Sequence, residues 1–341
     1  MDRRSPLLPR RASWRAAVAV FLASLCAALG GVSPAVAVAS ADSADLSWSV
    51  TPADDRQGAG RANYTYAVEP GDRVSDALVV TNRSAAPLRL SVYGTDAFTT
   101  SSGHIDLLTA DEPATGLGTW LTFRKAALDL EPGESATVPF TLRVPEDAAP
   151  GDHSGGVVTA LTQRVGDSAL TVDRRLALRM HARVAGALAP GLEISGVSVS
   201  TDLTPNPFGT VTSTVRYRLT NTGTARVVPT ETVTVTGPVG AAGRTTSAGL
   251  DEVLPGSTVD RVVEVSGVRP LVRAEAAVRV DGLVVGIGGG GVTSAHDDAS
   301  GWAVPWALLV LVVLAVSAAV VVPLVRGRVR QSRPDAVDPA P

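Results

Sequence analysis

The sequence predicts an all-β extracellular region: two tandem immunoglobulin-like β-sandwiches, preceded by a signal peptide and followed by one transmembrane helix. Three observations carry this. Apolar and polar residues alternate at period two in several segments between residues 42 and 285, the pattern of strands buried on one face. Turn signals recur at short intervals, drawn from 33 Gly and 23 Pro. The two long uncharged apolar runs lie one at each end of the chain.

Residues 1–41 read as a signal peptide. Arg3, Arg4, Arg10, Arg11 and Arg15 form a basic front, residues 16–32 are apolar, and Ala37, Val38 and Ala39 supply an A-x-A site. Cleavage after Ala39 or Ala41 fits. Cys26 is the one Cys, so no disulfide framework and no Cys-cluster metal site can form within a chain. A lipidated Cys is disfavoured, because Leu25 stands where a small residue is needed.

Residues 42–190 form the first module. Ala136, Val138, Phe140, Leu142 and Val144 share one strand face, and Thr137, Pro139, Thr141 and Arg143 the other. Pro139 cannot donate a ladder hydrogen bond, which places it at an edge or a bulge. Residues 191–285 form the second module. There Val211, Val215, Tyr217 and Leu219 alternate with Thr and Arg, and Ala274, Ala276, Val278 and Val280 with mostly polar residues. Two turns repeat one theme, Glu69-Pro70-Gly71-Asp72 and Glu131-Pro132-Gly133-Glu134, and Leu254-Pro255-Gly256-Ser257 is a variant. Pro presets the first central φ of such a turn and Gly the positive φ after it. Val80-Thr81-Asn82 is echoed by Leu219-Thr220-Asn221, each a strand ending in Asn. Eight of the ten aromatics between residues 42 and 301 fall in the first module, so the second is expected to have a smaller, Val-rich core.

Residues 286–301 read as a Gly-rich flexible stalk. Residues 302–325 carry no charge and exceed the roughly 20 residues that cross a hydrocarbon core. Trp302 and Trp306 mark the outer edge, and the basic tail at residues 326–341 begins with Arg326, Arg328 and Arg330. That asymmetry predicts a single-pass type I protein with its C-terminus in the cytoplasm.

The whole chain is net −3. Five basic residues precede residue 42 and four follow residue 301, against one and two acidic ones, so the region between is net −9. Nothing in that balance favours nucleic acid. No G-x-S-x-G or H-E-x-x-H occurs. Asp152-His153-Ser154 holds triad residue types side by side, but a working triad converges from separate elements. Acidic pairs such as Asp54-Asp55 and Asp111-Glu112 lack calcium-loop spacing. The sequence therefore predicts no catalytic residue, no metal and no cofactor, hence no enzyme.

The first module resembles the peptidoglycan-binding domain of the WxL-interacting protein family of Gram-positive surface proteins. The residues that carry the resemblance lie over 46–165. Trp48-Ser49-Val50-Thr51-Pro52 matches the family's opening, and Tyr64-Thr65-Tyr66-Ala67-Val68-Glu69-Pro70-Gly71 its strand into a turn. Val79-Val80-Thr81-Asn82-Arg83-Ser84, Ser102-Gly103-His104-Ile105-Asp106, Leu130-Glu131-Pro132-Gly133-Glu134 and Val144-Pro145 follow in order. Pro150-Gly151-Asp152-His153-Ser154-Gly155-Gly156-Val157 is similar to the family's glycine-rich run. The resemblance implies a cell-surface protein that binds the peptidoglycan layer, or another cell-wall glycan, and secreted partners of WxL type, without catalysis.

Glycans are held by aromatic faces and polar side chains. Tyr64, Tyr66, Tyr93, His104, Asp106, Trp120 and His153 are the candidate contacts, alongside turns and loops at Gly71, Gly103, Gly133, Gly151, Gly155 and Gly156. The competing assignment is that these aromatics fill the core. An alternative function is a protein–protein scaffold or assembly helper that uses its sheet edges to bind secreted proteins. A cell-wall hydrolase is the third.

Overall fold

Alternating sequence becomes seventeen strands and two helices among the described residues. The computed structural model describes residues 46–331, apart from 165–170, 203–205, 207–208, 238–242, 270–271 and 304–305. The signal segment and residues 332–341 lie outside the described residues.

The first sandwich opposes two sheets. One runs β1 (Trp48–Pro52), β3 (Arg73–Asn82), β8 (Ser135–Arg143) and β6 (Leu121–Phe123), all antiparallel. The other runs β2 (Tyr64–Val68), β10 (Thr171–Val184), β9 (Gly151–Arg164), β4 (Leu88–Thr99) and β5 (Ile105–Leu107), with β7 (Ala127–Leu130) also on β4. β2 pairs with β10 in parallel, so the chain moves from one sheet to the other between β1 and β2. A four-residue helix, α1 (Leu117–Trp120), plugs one end. The expected face of β8 is the buried one: Val138, Phe140 and Leu142 point into the core with Leu78, Val80, Leu90 and Met180. Pro139 faces Ala77 of β3, while β6 covers only Phe140–Leu142 on the other side. No donor is needed at Pro139 on that open side.

The second sandwich opposes β11 (Glu193–Thr201), β12 (Val211–Thr220) and β15 (Thr258–Val268) to β14 (Arg244–Gly249), β13 (Val227–Thr236), β16 (Val272–Val284) and β17 (Val292–Ala303). Its core is built from Val, Ala, Leu219 and Tyr217. The expected smaller side chains are there, and the two sandwiches bury separate clusters.

The repeated Asn has a structural cause. Asn82 and Asn221 are fully buried. The Asn82 Nδ2 donates to the carbonyls of Ala86, Leu130 and Glu131, at 2.9, 3.0 and 3.1 Å. The Asn221 Nδ2 donates to those of Ala225 and Val253, at 2.9 and 3.0 Å. Each Asn Oδ1 accepts the backbone N–H two residues on. Both thus tie the end of one strand to the following loop and to the segment before the Pro-Gly turn, which would otherwise bury unpaired carbonyls.

Residues 286–301 are not a stalk. Glycines turn the chain, with Gly286, Gly288 and Gly290 at φ of 93°, 68° and 123°. β17 then pairs with β16 from Val292 opposite Leu283 to Ala303 opposite Val272. The second sandwich therefore extends to Ala303, beyond the expected end at residue 285. β17 was invisible to hydropathy because it is an edge strand whose backbone pairs while only Ala303 is buried. Helix α2 (Trp306–Gln331) starts later than the expected 302 and absorbs the first residues of the basic tail. Trp302 belongs to β17. α2 holds the single helix among the described residues long and apolar enough to cross a membrane, over Trp306–Arg326, and protein covers none of it.

Candidate functional site

The sequence-predicted contacts do not gather into one surface. Tyr64 and Tyr66 of β2 point inward and are 0% and 6% exposed. Tyr64 donates to the carbonyl of Ala77, and its ring meets Phe140 edge-on at 5.2 Å. Tyr66 donates to Asp76 at 2.6 Å. Neither can stack on a sugar, because both faces are packed. Trp120 of α1 is buried too, with its ring centroid 4.6 Å from that of His153. Period two puts aromatics on a face but does not say which face is covered. Tyr93 is half-buried.

The remaining candidates are polar and local. His104 is exposed and pairs with Asp251 of the second sandwich at 3.3 Å. Asp106 is exposed and accepts the backbone N–H of Leu107 at 2.8 Å. His153 Nε2 donates to the Ala149 carbonyl at 2.8 Å. Gly71, Gly103, Gly133 and Gly151 do take positive φ. Gly155 and Gly156 serve another purpose. A Cβ on Gly155 would lie 2.5 Å from the Thr95 carbonyl, and one on Gly156 2.7 Å from Leu107.

The triad residue types do not converge. Asp152 accepts from Arg183 at 2.8 and 2.6 Å and from the Arg226 backbone at 2.8 Å. Ser154 Oγ meets His181 Nδ1 at 2.9 Å, not His153. Burial, helped by the Arg226 and Arg179 charges and opposed by Asp152, lowers the His181 pKa to about 4. This imidazole is neutral at pH 7, and among the described residues no carboxylate hydrogen-bonds to it.

Asp152 belongs instead to an elbow between the sandwiches that sequence reasoning missed. Arg226 donates on to Glu252 at 2.6 Å, and Arg183 donates to the Val285 and Ile287 carbonyls. Asp152 N donates to the Thr224 carbonyl at 2.8 Å, and Asp260 N to that of Ser101, also at 2.8 Å. Beside the elbow lies a cleft of about 420 Å³ lined by Phe98, Leu117, Pro150, His153, Thr224 and Pro255, among others. The partners are 26 to 159 residues apart in sequence, beyond the reach of any local motif.

A second feature is an incomplete sheet edge. β10 has fourteen residues, but β2 pairs only with Met180–Val184. Among the described residues no strand lies on that side of residues 171–178. Arg179 N donates to Asn63 Oδ1 at 3.2 Å, which marks the end of cover. Residues two, four and six positions earlier send their backbone groups the same way. On the inward parity, Leu178, Met180, Ala182 and Val184 are buried, whereas Leu176 and Val172 are 40% and 38% exposed. The apolar stripe runs past the end of the core. Arg174 lies within it, donating to the Leu46 carbonyl, while Arg175 is on the opposite face, donating to the Leu108 carbonyl and lying 3.8 Å from Asp173. The alternation was readable in the sequence; the missing neighbour strand was not.

No protein-family model matches the chain, and no curated protein matches it. Solved structures resemble it loosely. A chain of a chaperone–tip adhesin complex of CFA/I fimbriae biogenesis matches with a TM-score of 0.36 at 9% identity, over 76% of this chain and 99% of that one. The class 5 fimbriae chaperone CfaA gives a TM-score of 0.34 at 10% identity, over 76% and 100%. A chain from the complex of the Salmonella enterica SafA pilin with the SafB chaperone gives 0.32 at 12%, over 74% and 96%.

Proposed function

We propose that this chain is a membrane-anchored surface protein that assembles with other proteins by accepting an extended partner segment along the open edge of β10. The observation that carries the reading is that edge: on the side away from β9, residues 171–178 present a row of backbone donors and acceptors with no neighbouring strand among the described residues, beside Val172 and Leu176. A partner strand would pair its backbone and cover the two apolar side chains, the mode known as β-augmentation. Arg174 favours a segment carrying acidic residues and discourages two copies from pairing edge to edge, whereas Arg175 is matched by Asp173 of the same strand. α2 supplies the anchor, with the strands outside and the C-terminus in the cytoplasm. Glycan binding through Tyr64, Tyr66 and Trp120 loses its support with their burial. The likeness to the WxL-interacting family remains compatible with a surface role among secreted proteins.

The test is capture by the full-length protein from the secretome of its source, compared with retention on purified sacculi. Hydrogen exchange of the captured complex is expected to protect residues 171–178. Ala177→Pro removes one outward N–H and should abolish capture while the protein stays folded. Sacculus retention with no change at residues 171–178 would overturn the proposal.

A further inference from the structure

Loss of the stalk changes how the protein meets the membrane. Between Ala303, the last residue of β17, and Trp306, the first of α2, stand two residues. Three chain steps reach at most about 11 Å. β16 has thirteen residues and measures about 40 Å along its axis. So short a link cannot let the far end of the sandwich approach the helix. The headgroup region adds only about 5–8 Å to each side of the hydrocarbon. The end of the sandwich that carries Ala303 must therefore sit at the lipid surface wherever α2 spans.

That end has a particular composition. Strand register puts Val272 opposite Ala303 and Arg273 opposite Trp302, and puts Val211 opposite Val268. Arg273, Arg269 just past β15, and Arg244 at the start of β14 are all exposed there. Arg244 lies beside Gly267, where an added Cβ would come within 3.2 Å of its Nε. Arg273 donates to Ser300 Oγ. Trp302 is 77% exposed on the same rim. Two acids share the end, Asp202 and Glu275, and Glu275 stands two residues farther from the helix than Arg273. In a region that is net −9, three cations and an indole therefore gather at the one end that the chain forces against the bilayer.

We infer that the second sandwich docks on the membrane as a pedestal, its Arg244, Arg269 and Arg273 against anionic lipid headgroups and Trp302 in the interface. The inference rests on the anchoring half of the proposed function. It deepens it by holding the open edge of β10 away from the bilayer by the length of a sandwich. Arg side chains pair with phosphate oxygens bidentately, and an indole prefers the headgroup level.

The experiment uses the full chain, with Cys26→Ser, reconstituted in vesicles of phosphatidylcholine with or without phosphatidylglycerol. A spin label is placed through Thr210→Cys at the Trp302 end, or through Thr258→Cys at the far end; both sites are exposed. Collision with a headgroup-chelated nickel lipid is expected to be several-fold stronger at position 210 than at 258. The contact at 210 should grow with phosphatidylglycerol. It should shrink in Arg244→Gln/Arg269→Gln/Arg273→Gln, and in about 1 M salt, where the Debye length is about 3 Å. Equal collision at the two positions would overturn the docking. Contact that ignores both lipid charge and the triple variant would overturn the headgroup assignment. Release of the protein by alkaline carbonate would sink the anchor itself, a distinct failure.

Discussion

Asn82 and Asn221 hold equivalent corners in the two sandwiches, yet the last strand of each is treated differently. In the first, β10 pairs with β9 throughout, but β2 covers its outer side over only five of its fourteen residues, and among the described residues no strand covers residues 171–178 there. In the second, β17 is itself the edge strand: it pairs with β16 along its whole length, and Gly301 lets it press on β11, where a Cβ would lie 2.3 Å from the Val199 carbonyl. Both sandwiches also bury a carboxylate held by Arg and Tyr. Asp76 takes Arg61 and Tyr66, and Glu231 takes Arg261 and Tyr217. Burial alone would raise the Asp76 pKa, but the Arg61 and Tyr66 hydrogen bonds outweigh it and leave Asp76 below its ordinary value. The shared devices fix the fold. The difference lies at the final strand: β10 carries the exposed Leu176 and Val172 beside its uncovered stretch, whereas β17 packs against β11.

The sharpest way to break this comparison is to cut the elbow that joins its two halves. Asp152→Ala takes the carboxylate from Arg183, which keeps only carbonyl acceptors, and leaves Arg226 with Glu252 alone; their side chains are 10% and 7% exposed. Removing one member of a buried pair costs about 3–5 kcal/mol. Denaturant unfolding should then split into two transitions, one per sandwich. A single transition at an unchanged midpoint would show that the elbow does not couple them.

Acid should distinguish the sandwiches next. The unfolded chain protonates His181 near its ordinary pKa of 6.5, and the folded chain only near 4. Between those values the unfolded state holds the extra proton, so stability falls as pH drops from 6.5 to about 4, by on the order of 3 kcal/mol. Hydrogen exchange should reveal the loss mainly in the first sandwich, and His181→Gln should flatten it. Asp76 acts below that window: its stabilisation is present above the unfolded value of 3.8 and is lost as pH falls through its lower folded value.

Asn82→Ala should destabilise more than Asn221→Ala, since it frees three carbonyls rather than two. Each should cost about 1–3 kcal/mol. Equal or reversed thermal shifts would mean the two corners are not equivalent. The smallest effect is expected at the open edge. Leu176→Ser should change the unfolding free energy by no more than about 0.5 kcal/mol, yet weaken partner capture. A large loss of stability would mean Leu176 is part of the core after all.

Much of the scaffold was legible. The alternation over β8, β12 and β16 named their buried faces, and the Pro-Gly turns fell between strands. The paired Asn residues were visible as an echo, though not as corner bonds. β17 was not legible, because a polar edge strand has no apolar face and glycines before it imitate a linker. The candidate site was harder still. Tyr64, Tyr66 and Trp120 look like ligand contacts in sequence and are core, while residues 171–178 look like any half-buried strand.

By itself the sequence determined what is local: strand periodicity, turn chemistry, a charge-free helix long enough to span, and few groups able to do chemistry. Those follow from side-chain types at fixed short spacing. Tertiary structure alone decided which alternate face is covered, which edge lacks a neighbour, and that Asp152, Arg183 and Arg226 meet. Each of these depends on segments brought together from afar by burial of apolar surface, an interaction without direction that leaves no mark in any one stretch of chain.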